Sequence, residues 1–389
     1  MAGLYIHIPF CKSRCTYCDF FSTTDETRVN AFVEALRLEA ELRKSEVDEP
    51  VKTVYFGGGT PSRLQAKHLD TLFETLYRCY PIESTAEVTV EANPDDLTEG
   101  YLSLLTQQPV NRLSLGVQSF NDKELRLLSR RHTAQEATDA VKHAQEQGFH
   151  NISIDLIYGL PRQTEAVWQE NLNRATELQV PHLSAYHLIY EEKTPIYALL
   201  QAGKVTPVDE ETSNAMFAML IDWMTQHNFI HYELSAFGKE GFFSRHNSAY
   251  WKGEKYLGLG PSAHSFDGSS RSWNVASITE YIHGVTSGEP YQEMERLSRT
   301  ERYNEFILTG LRTTWGVNLP ELRYRFGEEL YRYCLENARK HIDRNLLVTE
   351  KEALKLTRDG LFISDGIMSD LMWVGKSTIN NKIQAYENS

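Results

Sequence analysis

Leu4-Tyr5-Ile6-His7-Ile8-Pro9-Phe10-Cys11-Lys12-Ser13-Arg14-Cys15-Thr16-Tyr17-Cys18-Asp19-Phe20 places three of the chain's five cysteines within eight residues, directly after an alternating run that reads as a β-strand. A lone free thiol is usually a core residue, but three at this density after a strand point to a metal centre. Two centres fit three thiolates. Structural zinc takes four ligands, usually from CxxC pairs. Here no second pair exists, Cys79 and Cys334 stand alone in helical patterns, and only His7 could close the set. An iron–sulfur cube normally takes four thiolates. With three, one iron keeps a position open for a small molecule, and this reading explains more of the remaining chain.

Outward from this stretch, strands and helices alternate. Leu4 to Ile8 is the first strand, and Val29, Phe32, Val33, Leu36 and Ala40 repeat at helical spacing. Thr53 to Phe56, Glu87 to Ala92, Arg112 to Gln118, Ile152 to Ile157 and Leu183 to Ile189 read as further strands, each followed by a helical pattern. Six such units predict an α/β fold with a parallel sheet. Six are too few for a complete eight-unit barrel, so the expectation is a partial (βα)6 TIM-like barrel over residues 1–195. Residues 196–300 form an accessory region, and 301–389 an α-rich, winged-helix-like module.

Parity within the strands says what the barrel holds, because successive side chains point to opposite faces. Leu4, Ile6 and Ile8 oppose Tyr5 and His7; Val88, Val90 and Ala92 oppose Glu87, Thr89 and Glu91; Leu113, Leu115 and Val117 oppose Ser114, Gly116 and Gln118; Ile152, Ile154 and Leu156 oppose Ser153 and Asp155. One face is apolar, for the helices. The other is polar, where a closed barrel would carry branched apolar residues, so the interior is expected to be a wet cavity for a polar ligand. Parallel folds place their chemistry at the C-terminal strand ends. The cysteine loop follows strand one, and Gly57-Gly58-Gly59-Thr60, which lets backbone approach a ligand closely, follows strand two.

Cys-x3-Cys-x2-Cys with an aromatic before the last cysteine resembles the radical S-adenosylmethionine superfamily. The strings YIHIPFC (5–11), FGGGTPS (56–62), VEANP (90–94), RLSLGVQSF (112–120), DLIYGLP (155–161) and LGLGPSAHSF (257–266) extend the resemblance over nearly the whole chain, to the oxygen-independent coproporphyrinogen III oxidase-like group. The resemblance implies a [4Fe–4S] cluster on Cys11, Cys15 and Cys18, with S-adenosylmethionine on the open iron. It makes Tyr5 the aromatic at the sulfonium, Tyr17 the aromatic inside the cysteine motif, and Gly58, Gly59 and Thr60 the methionine site. Glu91, Gln118, Arg130 and Asp155 become polar residues around the cofactor, and Ile189 a late adenosine contact. Parity independently puts Glu91, Gln118 and Asp155 inside. Arg130 lies in the charged run Arg126 to Arg131, whose plain reading is a solvated face.

After Pro195 the βα rhythm stops. Ser244-Arg245-His246-Asn247-Ser248-Ala249-Tyr250-Trp251 is polar, aromatic and non-periodic, and reads as a loop. A neutral imidazole can ligate heme iron, and Tyr250 and Trp251 could cover a macrocycle or simply pack. The stretch resembles the HNxxYW heme motif of the heme-chaperone (HemW-like) branch. The oxidase branch carries a further cysteine two positions after the third ligand, where this chain has Phe20. Together these imply a heme-binding chaperone, with His246 and Tyr250 at the heme, rather than an oxidase that decarboxylates coproporphyrinogen III. The implied partners are heme-accepting apoproteins, with peripheral membrane association and a homodimer left open.

Composition bounds the rest. A net charge of −13 argues against nucleic acid as a partner. No run of 18 apolar residues occurs, and the first residues lack a basic region followed by a long apolar stretch, so neither a transmembrane helix nor a signal peptide is expected. Clustered cysteines fit a reducing compartment, here the cytoplasm.

Overall fold

The computed structural model describes residues 2–374; the last residues of the C-terminal region, 375–389, lie outside the described residues. Six strands, β1 (Ala2–Ile8), β2 (Val51–Gly58), β3 (Ile82–Ala92), β4 (Arg112–Gln118), β5 (Ile152–Tyr158) and β6 (His182–His187), lie side by side in chain order, all parallel. The connecting helices are α1 (Val29–Leu42), α2 (Ala66–Cys79), α3 (Glu99–Thr106), α4 (Asp122–Leu127), α5 (Ala134–Glu146) and α6 (Glu165–Glu177). The apolar strand face packs under them: Leu4, Ile6, Ile8, Val54, Val90, Leu113 and Ile154 are essentially inaccessible, in one core with Phe32, Leu36, Leu72 and Val141. Parity thus read the strand faces correctly.

Beyond β6, α7 (Pro195–Gln201) and α8 (Glu210–Gln226) lead to a hairpin, β7 (Ile230–Glu233) and β8 (Ala236–Gly238), which adds to β6 antiparallel. The heme-motif stretch is the seven-residue helix α9 (Arg245–Trp251), not the expected loop. β9 (Lys255–Leu259) then returns to the other edge and pairs parallel with β1. β10 (His264–Phe266) and β11 (Ser270–Asn274) follow, then α10 (Ile278–Ser287) and β12 (Gln292–Arg296), continuing the edge antiparallel. The result is one twelve-stranded sheet, β12-β11-β10-β9-β1-β2-β3-β4-β5-β6-β8-β7, with seven parallel strands, β9 and β1 to β6, at its centre. The sheet runs on across residue 195.

A buried carboxylate fastens this extension to the first helix. Glu39 of α1, fully buried, accepts from Arg43 Nη1 (3.0 Å), the Gly260 backbone N–H (2.8 Å), Asn274 Nδ2 (2.8 Å) and the Tyr281 hydroxyl (2.6 Å). A buried charge is tolerated when every lone pair is used. Glu39→Gln keeps the shape but turns one acceptor oxygen into a donor facing donors. It is expected to lower the unfolding free energy by about 2 kcal/mol, measured by urea denaturation; an unchanged midpoint would rule out this fastening role.

The C-terminal module has its own core, with Tyr303, Ile307, Leu322, Leu330, Leu354 and Ile367. It comprises α11 (Arg299–Leu311), β13 (Val317–Asn318), α12 (Leu319–Asp343, broken at Gly327), β14 (Leu347–Glu350), β15 (Ala353–Leu356), α13 (Arg358–Leu361) and α14 (Ser364–Leu371). Its three strands form a small antiparallel sheet in the order β13-β15-β14, the wing that the sequence pattern suggested. Among the described residues no helix is long and apolar enough to cross a membrane.

Candidate functional site

The cysteine loop leaves β1 and is tied down by backbone bonds: Cys11 N–H to the Thr23 carbonyl (2.8 Å), Thr23 N–H to that of Pro9 (2.7 Å), and Thr16 N–H to that of Leu128 (3.1 Å), at the end of α4. Thr60 Oγ1 donates to Cys11 Sγ at 3.4 Å, and Arg130 Nη1 to Cys15 Sγ at 3.3 Å. Arg130 therefore turns inward out of its charged run. Its guanidinium also donates to Asn93 Oδ1 and the Gly116 carbonyl, and its Nε is buried without a hydrogen-bond partner. Tyr17 packs against the small cluster of Leu128, Ile157, Leu160, Leu188 and Ile196.

Burial pushes the Cys11 thiol up, and pushes Cys18 up to about 11, with Cys15 and Cys11 adding to the effect. Cys11 and Cys18 thus resist ionising, and a cationic centre beside them is what would make them thiolates. Among the described residues no three His, Cys, Asp or Glu side chains converge to hold a single metal ion. A cube makes a different demand, since each thiolate binds its own iron. The donor set fits a cluster better than mononuclear zinc.

Gly58, Gly59 and Thr60 lie beside this loop, but the glycines serve chain packing first. Gly58 has φ +107°, and a Cβ there would come within 2.7 Å of the His7 ring; a Cβ on Gly59 would stand 2.9 Å from the Ile8 carbonyl oxygen. A Gly58→Val variant would thus disturb the protein itself, whatever it does to a ligand. On the inner face Glu91 accepts from the Tyr55 hydroxyl at 2.6 Å, and burial raises its carboxyl to about 7, with Asp155 adding to the rise. Asp155 is also raised, mainly by burial, and accepts from Ser114 Oγ at 3.2 Å. Gln118 ends β4 with φ +68°. Tyr5 stacks on Tyr55, and its hydroxyl donates to His7 Nδ1 (3.1 Å), whose Nε2 donates to the Phe21 carbonyl (2.9 Å). Ile189 lies past the end of β6 and is 64% exposed.

Below these residues the interior is filled rather than wet. Arg112, 1% exposed, has no carboxylate within ion-pair distance among the described residues, and its Nε lacks a hydrogen-bond partner. Glu87 of β3 accepts from the Arg245 and His246 backbone N–H groups (3.1 and 3.0 Å), which fixes α9 against the barrel floor. His246 is buried there: Nδ1 shares a hydrogen bond with Thr53 Oγ1 (2.9 Å), Nε2 shares one with the Tyr250 hydroxyl (2.8 Å), and the ring stacks on Tyr55 at 4.9 Å. Both ring nitrogens are therefore engaged by the protein. Sequence reasoning missed Tyr55, Arg112 and Asn93, and placed Glu87 on the polar face without giving it a role. Parity could have found Arg112 and Tyr55, since Arg112 shares its face with Ser114 and Tyr55 with Thr53.

A cavity of about 870 Å³ opens beside the cluster loop, within the range of small-molecule sites. Tyr5, Phe20, Tyr250, Phe266, Phe306 and Trp315 line it, so it lies between the barrel, α9, the β9–β11 edge and the C-terminal module. Phe20 is 64% exposed, facing this space.

Comparison with known proteins agrees with these features. Residues 5–175 match the radical SAM superfamily, and residues 297–363 the HemN C-terminal domain. The chain is 34% identical over 371 residues to the heme chaperone HemW of Bacillus subtilis, covering 94% of this chain and 98% of that protein. It is 31% identical over 397 residues to the mitochondrial radical S-adenosyl methionine domain-containing protein 1 of Bos taurus, covering 95% and 87%. The fold superposes on the coproporphyrinogen III oxidase HemN of Escherichia coli with a TM-score of 0.82 at 22% identity, covering 95% of this chain and 90% of the other. The chain belongs to the HemW family of the radical SAM superfamily.

Proposed function

We propose that this chain is a heme chaperone, which binds heme and delivers it to acceptor hemoproteins from a scaffold that also holds a [4Fe–4S] cluster and S-adenosylmethionine. The observation that carries this reading is the aromatic cavity beside the cluster loop, with Phe20 on its wall where the oxidase pattern has a cysteine. Aromatic rings cover a flat macrocycle with large apolar area, and the arginines that share the cavity suit its propionates.

In this reading residues 1–195 hold cluster and S-adenosylmethionine, 196–300 complete the sheet and present α9, and 301–389 close the cavity. Cys11, Cys15 and Cys18 ligate three irons, and Thr60 and Arg130 donate to the sulfurs. Tyr5, Gly58, Gly59, Thr60, Glu91, Gln118, Arg130, Asp155 and Ile189 surround S-adenosylmethionine, with Tyr17 supporting the loop. When bound, cluster and S-adenosylmethionine supply one-electron chemistry. Tyr250 meets heme, and His246 holds Tyr250 in place. Delivery takes place in the cytoplasm. Peripheral membrane contact and a homodimer belong to the same proposal, tested by vesicle flotation and sedimentation velocity.

The deciding experiment loads the purified chain with heme and mixes it with apomyoglobin, beside an anaerobic decarboxylation assay on coproporphyrinogen III. The expected result is transfer of heme and no carbon dioxide. Decarboxylation with no heme uptake would return the chain to the oxidase class.

A further inference from the structure

The LGLGPSAHSF string carries a histidine, His264, that the reading above leaves unused. His264 opens β10 and faces the cavity. Three histidines lie in or under this space, and they differ in one respect. His7 and His246 each have both ring nitrogens hydrogen-bonded to protein. The ring of His264 makes no hydrogen bond among the described residues; its ring contact is a stack on Trp273, the cross-strand neighbour, at 6.0 Å. Its backbone is held rigidly, because β10 crosses β9 so closely that a Cβ on Gly258 would meet the His264 carbonyl oxygen at 2.1 Å. A fixed backbone, an accessible ring and free nitrogens are what a metal-binding imidazole needs.

A second feature shares the space. Arg302 of α11 lines the cavity, forms no ion pair among the described residues, and has a buried Nε with no hydrogen-bond partner. The neighbouring Arg271 and Arg325 are already paired, with Glu305 (2.8 Å) and Glu321 (3.2 Å). Arg302 is half-buried, and a buried guanidinium nitrogen without a partner is costly unless one arrives; a planar fork suits a carboxylate.

We propose that His264, rather than His246, ligates heme iron in this cavity, and that Arg302 takes one of the heme propionates. The proposal rests on the heme-chaperone reading. Burial and the nearby Arg271 hold the His264 imidazole below its ordinary value, although Glu295 pulls the other way, so its lone pair is available at neutral pH. His246 could reach iron only by giving up Tyr250.

The test titrates ferric heme into the full chain and reads the Soret band and the electron paramagnetic resonance of the bound iron. Wild type is expected to give a histidine-ligated spectrum. His264→Ala should lose it and weaken binding at least about tenfold, and added imidazole should restore the spectrum. His264→Gln and circular dichroism check that the fold is kept. Arg302→Gln should weaken heme severalfold and leave heme dimethyl ester unaffected. A wild-type spectrum in folded His264→Ala overturns the ligand assignment while leaving the chaperone reading intact. Equal losses for heme and its dimethyl ester overturn the role of Arg302. A wild-type chain that takes up no heme overturns the chaperone reading and this assignment together.

Discussion

Serine at Cys11, Cys15 and Cys18 together will leave a folded chain that holds no iron–sulfur cluster yet still takes up heme. Folding survives because the loop is anchored by its backbone, through Cys11 to Thr23 and Thr16 to Leu128, and a serine hydroxyl can still accept from Thr60 and Arg130 where the sulfurs did. The cluster goes because its three protein ligands go. Reconstituted wild type should contain about four irons and matching labile sulfide per chain, with an absorption band near about 400 nm, and the triple variant none of these. Heme uptake continues because no cysteine lines the cavity and heme binding breaks no bond. The measurement is iron and sulfide analysis beside heme titration of the same preparations. Stoichiometric zinc without sulfide in wild type would sink the cluster; failure of the folded triple variant to take heme would show that the two sites are one.

How far this was legible in the sequence depended on the length of each signal. Four of the central strands, β1, β3, β4 and β5, carry three apolar residues in alternation with others, so parity placed both of their faces. Helix α9 has seven residues, fewer than two full turns, so no helical period could show. Its start is set by the Ser244 side chain, the N-cap, on Asn247 N–H and by a distant group, the Glu87 carboxylate, on two more N–H groups. Strand β9 is five residues interrupted by Gly258, a residue that normally weakens a strand; here the glycine is what lets β10 cross. Arg130 was ambiguous because a charged run reads as solvated surface. Only folding shows that it points at Cys15 while Arg126 stays exposed. The wet interior was half right. Parity reports that side chains are polar, but not whether they bind one another, and at the barrel floor Glu87, Thr53, His246 and Tyr250 do so.

That floor gives the second large effect. His246→Ala is expected to lower stability at pH 7.5 by about 4 kcal/mol, as for removal of a large buried ring, with Thr53 and Tyr250 each losing a buried partner. The pH dependence identifies the cause. Burial, with Arg112 nearby, lowers the His246 imidazole to about 3, so it is neutral in the folded chain. Unfolded histidine takes up a proton below about 6.5. As pH falls through that value the unfolded wild type gains protons that the folded state refuses, and stability is lost down to the folded value. The alanine variant has no such group. The wild-type advantage should therefore shrink by about 1.4 kcal/mol per pH unit below pH 6.5, read as the difference in urea unfolding free energy between the two proteins. Other buried histidines and the raised carboxylates of Glu91 and Asp155 cancel in that difference. An advantage that stays constant from pH 7.5 to 5 would mean that His246 is not held neutral. If the advantage shrinks as expected, any heme lost by His246→Ala follows from a loosened floor and a displaced Tyr250, and the iron's ligand is to be sought at His264.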